Sequence, residues 1–263
     1  MTPGYETILF ETAGPFAQVT LNRPHVKNAM NSTMVEELIH VFGVLRQMAE
    51  IRAVILTGAN GTFCVGGDIN ELQGFSSLSD SQQLNQTSRL DVLLRTVTTA
   101  PQVVIARIEG AALGGGFGLV CVTDVAVASS DARLGLPEVR LGLVPAVIAP
   151  YVIRRVGLTR ARQMMLTGAR FDGVAAQEYG VVHEVMPPDG LDIRIEGLLQ
   201  ELRHCAPNAL RACKALIMDI ADKPADDTLH TRAELLNRLR MSEEAQEGMR
   251  AFLEKRRARW AKG

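Results

Sequence analysis

Apolar positions along the chain change their period several times, and each change marks an element. Thr7 to Phe10 and Ala17 to Leu21, separated by the Gly14-Pro15 turn signal, predict two short strands. Val35, Leu38, Ile39, Phe42 and Leu45 recur at three- and four-residue spacing, which predicts a helix over Met34 to Met48, and Ala53 to Thr57 reads as a strand after it. The unit then recurs. Ser88 to Thr98 is helical in spacing, Val103 to Ile108 is a buried strand, a glycine-rich turn opens a further helix, and Val125 to Ala128 is again strand-like. Strands alternating with helices predict an α/β fold. Beyond Glu184-Val185 the turn signal Pro187-Pro188-Asp189-Gly190 ends that alternation. Helical periodicity follows over Leu191 to Cys205, Ala209 to Ile220, Thr228 to Arg240 and Glu243 to Arg259. The reading is therefore a mixed part, residues 1–190, and a helical part, residues 191–263. The Ser-rich, weakly periodic stretch Gln73 to Gln86 is expected to be a mobile wall.

Composition narrows the classes of function. With 263 residues, 47% of them hydrophobic, the chain can bury one large core. The longest apolar runs, such as Val103 to Ile108 and Leu143 to Ile153, fall well short of the roughly 20 residues of a membrane span. The N-terminal stretch lacks the features of a secretion signal, so the expected location is cytoplasmic, away from membranes. Cys64, Cys121, Cys205 and Cys213 show no paired spacing with one another or with histidine, which predicts free thiols and no metal site. A net charge of −1 gives no field to gather nucleic acid, although Lys255-Arg256-Arg257-Ala258-Arg259 is locally basic.

Three segments carry candidate chemistry. The glycine-rich runs Gly58 to Ile69 and Glu109 to Leu119 each follow a strand and lead toward a helix. Glycine lets backbone approach a ligand closely, and first-turn helix amides have no internal partner, so such turns suit developing negative charge. Each could equally be a tight connection. Neither supplies a phosphate-binding Gly-x-x-x-x-Gly-Lys-Ser/Thr, nor Gly-x-Gly-x-x-Gly in the first strand-helix unit. In the third segment, Ala132 to Pro145, Glu138 stands between Pro137 and Val139. There it could resist ionisation and move protons, or it could pair with Arg133 or Arg140.

In order and combination these segments resemble the crotonase, or enoyl-CoA hydratase/isomerase, superfamily. The resemblance rests on Leu21-Asn22-Arg23-Pro24, Lys27-Asn28-Ala29-Met30, Phe63 to Ile69, Gly114-Gly115-Gly116, Leu136-Pro137-Glu138, Gly142-Leu143-Val144-Pro145 and Phe252 to Arg256. It implies a spiral of strand-strand-helix turns and a C-terminal helical region that assembles a homotrimer or a dimer of trimers. It also implies an acyl-CoA thioester substrate whose oxygen is held by the Gly67 and Gly115 amides, with Glu138 as the proton carrier. Coenzyme A would lie along Lys27, Ala29, Cys64, Val65, Gly66, Asp68 and Ile69, with Phe252 and Lys255 closing over its adenine end from a neighbouring subunit. Asp68 is expected to cap the helix after it. No cofactor beyond the substrate's own coenzyme A is implied.

One position departs from the pattern. Typical hydratases of the superfamily carry two glutamates, and here Gly118 occupies the place of the first. Gly114 to Leu119 with Gly135 to Tyr151 resembles the methylglutaconyl-CoA and isohexenylglutaconyl-CoA hydratases, which implies hydration of a 3-branched glutaconyl group, with Gly118 leaving room for the branch. Arg140 is then the nearest cation in sequence for the distal carboxylate. The lone carboxylate equally suits Δ3-Δ2 enoyl-CoA isomerisation, and RNA binding is known among crotonase-like proteins. His183 is expected to be a hydrogen-bonded structural residue.

Overall fold

The computed structural model of the chain describes residues 4–261. A six-stranded sheet runs in the order β1 (Ile8–Ala13), β2 (Phe16–Leu21), β3 (Ala53–Gly58), β4 (Val103–Ile108), β6 (Val125–Ser129) and β9 (Glu184–Met186). The first pair is an antiparallel hairpin turned at Gly14, and every later pairing is parallel. A second, three-stranded layer holds β5 (Ala111–Leu113), β7 (Arg133–Gly135) and β8 (Arg170–Asp172). The chain visits the two layers in turn: β4 leads to β5 and then α4 (Gly115–Cys121), and β6 leads to β7 and then α5 (Ala149–Thr167). The preceding turn follows the same course, since Cys64, after β3, pairs in parallel with Ala112 of β5. These are the strand-strand-helix turns of the expected spiral.

The two-residue strand period divides the core. Val19, Leu21, Val54, Leu56, Val104, Ala106, Ala126 and Ala128 point to one side. There they meet Leu38, Phe42 and Leu45 of α1 (Ser32–Gln47) and Leu93, Leu94 and Val97 of α3 (Asp80–Thr98). Phe16, Ala53, Ile55, Ile105 and Val127 point to the other side, where α7 (Leu191–His204) lays Leu191, Ile195, Leu198 and Leu199 against them. The change of character after residue 190 thus brings in the helix that covers the sheet's second face. α8 (Pro207–Ile220), α9 (Leu229–Arg240) and α10 (Glu243–Leu253) follow.

Several expectations need correction. The weakly periodic stretch Gln73 to Gln86 carries regular structure: α2 (Ile69–Gly74) runs into a 3-10 turn, and Ser79 and Gln82 form a reciprocal capping box that starts α3 eight residues before Ser88. The last helix stops at Leu253 instead of reaching Arg259, because Lys255 adopts a left-handed conformation at φ 53°. α5 and α6 (Gly173–Glu178) escaped the sequence reading; Gly157, at φ 72°, breaks the period inside α5. No helix among the described residues is long and apolar enough to cross a membrane.

Candidate active site

The two glycine turns meet backbone to backbone. Met30 pairs with Gly67 and Cys64 with Ala112, which sets the segment 64–67 beside β5. Gly66 sits at φ 102°, and a Cβ on it would stand 3.1 Å from Leu113 O and 3.6 Å from Gly115 N, so only glycine allows this approach. Neighbouring groups are satisfied: Met30 N donates to Gly66 O, Asp68 N to Met30 O and Gly114 N to Gly135 O, at 2.8, 2.8 and 3.0 Å. Among the described residues, the Gly67 amide donates to no protein acceptor. Gly115 is the first residue of α4, where a helix leaves its amides without internal acceptors. Two unspent donors therefore face the same space, one of them with a helix N-terminus behind it.

Glu138 enters that space from the 3-10 turn Pro137–Leu141, directly after β7. A Cβ on Gly114 would lie 3.1 Å from Glu138 Oε1, which puts the carboxyl group against the start of α4. Its Oε2 is buried without a hydrogen-bond partner, and burial pushes the carboxyl pKa up from its ordinary value. No ion pair forms with Arg133 or Arg140. Of the two readings open in the sequence, the structure selects the desolvated acid.

A cleft of about 960 Å³ surrounds these groups. Lys27, Ala29, Val65, Gly66, Gly67, Asp68, Ile69, Gly115 and Glu138 all line it, together with Leu72, Leu113, Leu141 and Leu143. Asp68 caps α2 through Oδ1 to Asn70 N at 3.0 Å, and its Oδ2 meets Arg23 Nη1 at 2.8 Å. The guanidinium hydrogen bond holds the Asp68 carboxyl below the usual carboxylate range. Arg23 also reaches Ala29 O at 2.7 Å, so it ties the Lys27 loop to the Gly67 loop.

Four expected contacts are not brought to the cleft by this chain. Cys64 is wholly buried and its thiol is pushed up to about 12 by desolvation; its backbone does the work, accepting from Leu113 N and donating to Ala111 O. Gly118 is buried inside α4, and a Cβ there would collide with Ile148 Cγ2 and stand 3.0 Å from Ile148 Cβ. The volume beside Gly118 is thus filled by Ile148 and not left open for an acyl branch. Phe252 and Lys255 are exposed at the end of α10, outside the cleft lining.

His183 has the structural role expected of it. Its Nδ1 accepts from Ala126 N at 2.9 Å beside the Arg155 guanidinium, and desolvation lowers its pKa from the ordinary imidazole value. It lines a separate cavity of about 340 Å³ that shares no residue with the cleft.

Sequence reasoning gave no role to Asn28. Its buried side chain accepts from Arg23 N and donates to Ala59 O and Thr62 O, which clamps the Lys27 loop to the loop after β3. The available signal was its type, since asparagine tolerates the left-handed conformation found here at φ 56°.

Residues 11–263 match the sequence profile described as enoyl-CoA hydratase/isomerase. The chain belongs to the enoyl-CoA hydratase/isomerase family. A putative enoyl-CoA hydratase of Thermus thermophilus is 31% identical over 94% of this chain and 98% of its own. The short-chain-enoyl-CoA hydratase of Clostridium acetobutylicum is 31% identical over 95% of each chain. Among solved structures, Pseudomonas aeruginosa AtuE superposes with a TM-score of 0.95 at 43% identity, covering 98% of this chain and all of its own. An enoyl-CoA hydratase/isomerase from Marinobacter aquaeolei follows at 0.93 and 38%, covering 97% of this chain and 99% of its own. Membership of this enoyl-CoA hydratase/isomerase family makes the protein an enzyme and its fold a crotonase fold.

Proposed function

We propose that this enzyme is a cytoplasmic hydratase that adds water across the 2,3 double bond of a 3-branched glutaconyl-type acyl-CoA, such as isohexenylglutaconyl-CoA or 3-methylglutaconyl-CoA. The observation that carries the reading is the buried, unpaired Glu138 carboxyl standing against the first turn of α4, beside the free Gly67 and Gly115 amides. The thioester oxygen sits between the two amides. As addition at C3 makes it an enolate oxygen, it gains charge that preorganised donors stabilise more than the ground state. Removing one such donor typically costs roughly 3 to 4 kcal/mol of barrier. Glu138 acts twice: as carboxylate it takes a proton from the attacking water, and as acid it returns that proton to C2 of the enolate. Elevation of its pKa by burial suits both roles near neutral pH.

The lone carboxylate also supports a second reading, Δ3-Δ2 isomerisation, in which Glu138 removes a proton from C2 and returns it at C4. Reaction in heavy-oxygen water with 3-methylglutaconyl-CoA, isohexenylglutaconyl-CoA, crotonyl-CoA and a 3-enoyl-CoA separates the two. Hydration puts the label in the product and is lost in Glu138→Gln. Double-bond migration without label makes the enzyme an isomerase.

Assembly through the C-terminal helices, as a trimer or a dimer of trimers, belongs to the same proposal. Met241, Phe252 and Leu253 expose 82, 83 and 79% of their surface in the single chain, which supports their covering by another subunit. Phe252 and Lys255 would then reach the adenine end of a neighbour's coenzyme A.

A further inference from the structure

The cleft floor is a row of adjacent backbone segments, parallel as far as β7 and closed by the antiparallel β8. Segment 64–67 lies beside β5, β5 beside β7, and β7 beside β8. Register places Ala111 against Arg133, Leu113 against Gly135, and Gly135 against Arg170. Side chains alternate across a sheet, so Ala111, Leu113, Arg133 and Arg170 share one face, and all four line the cleft. Arg170, opposite Gly135, stands at the same end of β7 as Glu138. Arg140, two residues past Glu138, lays its side chain over Gly168: a Cβ there would stand 3.1 Å from Arg140 Cγ and 3.2 Å from its Nε. Two guanidinium groups therefore arise on the flank of the cleft beyond Glu138, on the side away from Gly67. Neither has an acidic partner among the described residues. Of the carboxyl groups lining the cleft, Asp68 is held by Arg23 and Glu138 stands unpaired.

We propose that Arg140 and Arg170 form an anion subsite for the second carboxylate of a dicarboxylic acyl group. This rests on the acyl-CoA reading above. With the carbonyl between Gly67 and Gly115, and Glu138 facing the next two carbons, the acyl chain must run past Glu138 toward β8. The pantetheine arm and its phosphates then leave in the opposite direction, past Val65 and Lys27. An arginine fork matches a carboxylate in a planar, bidentate way. Leu141 and Leu143 line the same cleft and offer apolar contact to the chain between the two carbonyl ends.

The test is calorimetric binding of two saturated analogues that cannot be hydrated, glutaryl-CoA and butyryl-CoA, to the wild type, Arg170→Gln and Arg140→Gln. The wild type should prefer glutaryl-CoA. Each substitution should weaken glutaryl-CoA by about tenfold, the scale of one charge-assisted pair, and leave butyryl-CoA unchanged. Equal losses for both analogues would overturn the subsite by assigning the arginines to coenzyme A itself. No loss for either, or no preference in the wild type, would overturn it too. Both side chains are exposed, so an unchanged melting temperature will show that the variants fold. A wild type that prefers glutaryl-CoA yet incorporates no heavy oxygen would refute the hydratase reading and leave the subsite standing.

Discussion

At the scale of single residues, Glu138 is set against the stability of its own fold. Its pKa is raised in the folded chain by burial. Between the unfolded value, about 4.3, and that raised value, the folded state holds a proton that the unfolded state has released, so stability falls as pH rises through the window. Above the window the whole penalty is present. Glu138→Gln should therefore abolish turnover and yet raise stability at pH 7, and the gain should vanish as pH falls below about 4.3; urea unfolding at pH 7 and pH 4 measures both. The two glycine runs and Glu138 stood out in the sequence because glycine runs and an acid in apolar company are local signals, whereas the choice of Gly67 and Gly115 within those runs came from the family resemblance. Asn28 and Ile148 were not legible. Their roles exist only where distant segments meet: Asn28 grips carbonyls about thirty residues away, and Ile148 fills the volume beside Gly118.

Among elements, α4 shows what the missing glutamate means. A side chain at position 118 must displace Ile148, at the N-terminus of α5. Gly118→Ala should destabilise the protein by about 1 to 3 kcal/mol through overpacking. Ile148→Ala leaves a cavity, and the double variant should cost less than the sum of the two, because each defect fills the other; a double-mutant cycle in denaturant reads the coupling directly. The same pair explains why α5 was overlooked. Its first turn holds Pro150 and its middle holds Gly157, so local periodicity is poor, and the helix is fixed by packing on α4. By contrast α1, with five buried positions at helical spacing, was visible at once. The start of α3 was hidden among serines whose capping chemistry outweighs their low helical propensity.

For the whole molecule, the C-terminal helices are tied to the sheet by polar clamps as well as by α7. Arg52, at the entry to β3, donates to Arg203 O at the end of α7 at 2.8 Å and to Trp260 O at 2.7 Å. Arg52→Met should cost about 2 to 3 kcal/mol, the value of bonds to a charged donor, seen as a lower urea midpoint at unchanged slope. Lys214 similarly fastens α8 to Gln102 O and Asp124. The winding itself has a further consequence. The Gly67 and Gly115 amides belong to successive turns, joined by the pairing of Cys64 with Ala112. The approach of the two turns is thus set by backbone pairing, whose repeat is about 4.8 Å, rather than by the side chains that line the cleft. Under the proposed mechanism, altering Leu141, Arg140 or Arg170 would retune what the enzyme accepts without detuning the bond polarisation of the paired amides, so this scaffold could diversify its substrates while its electrostatics stay constant.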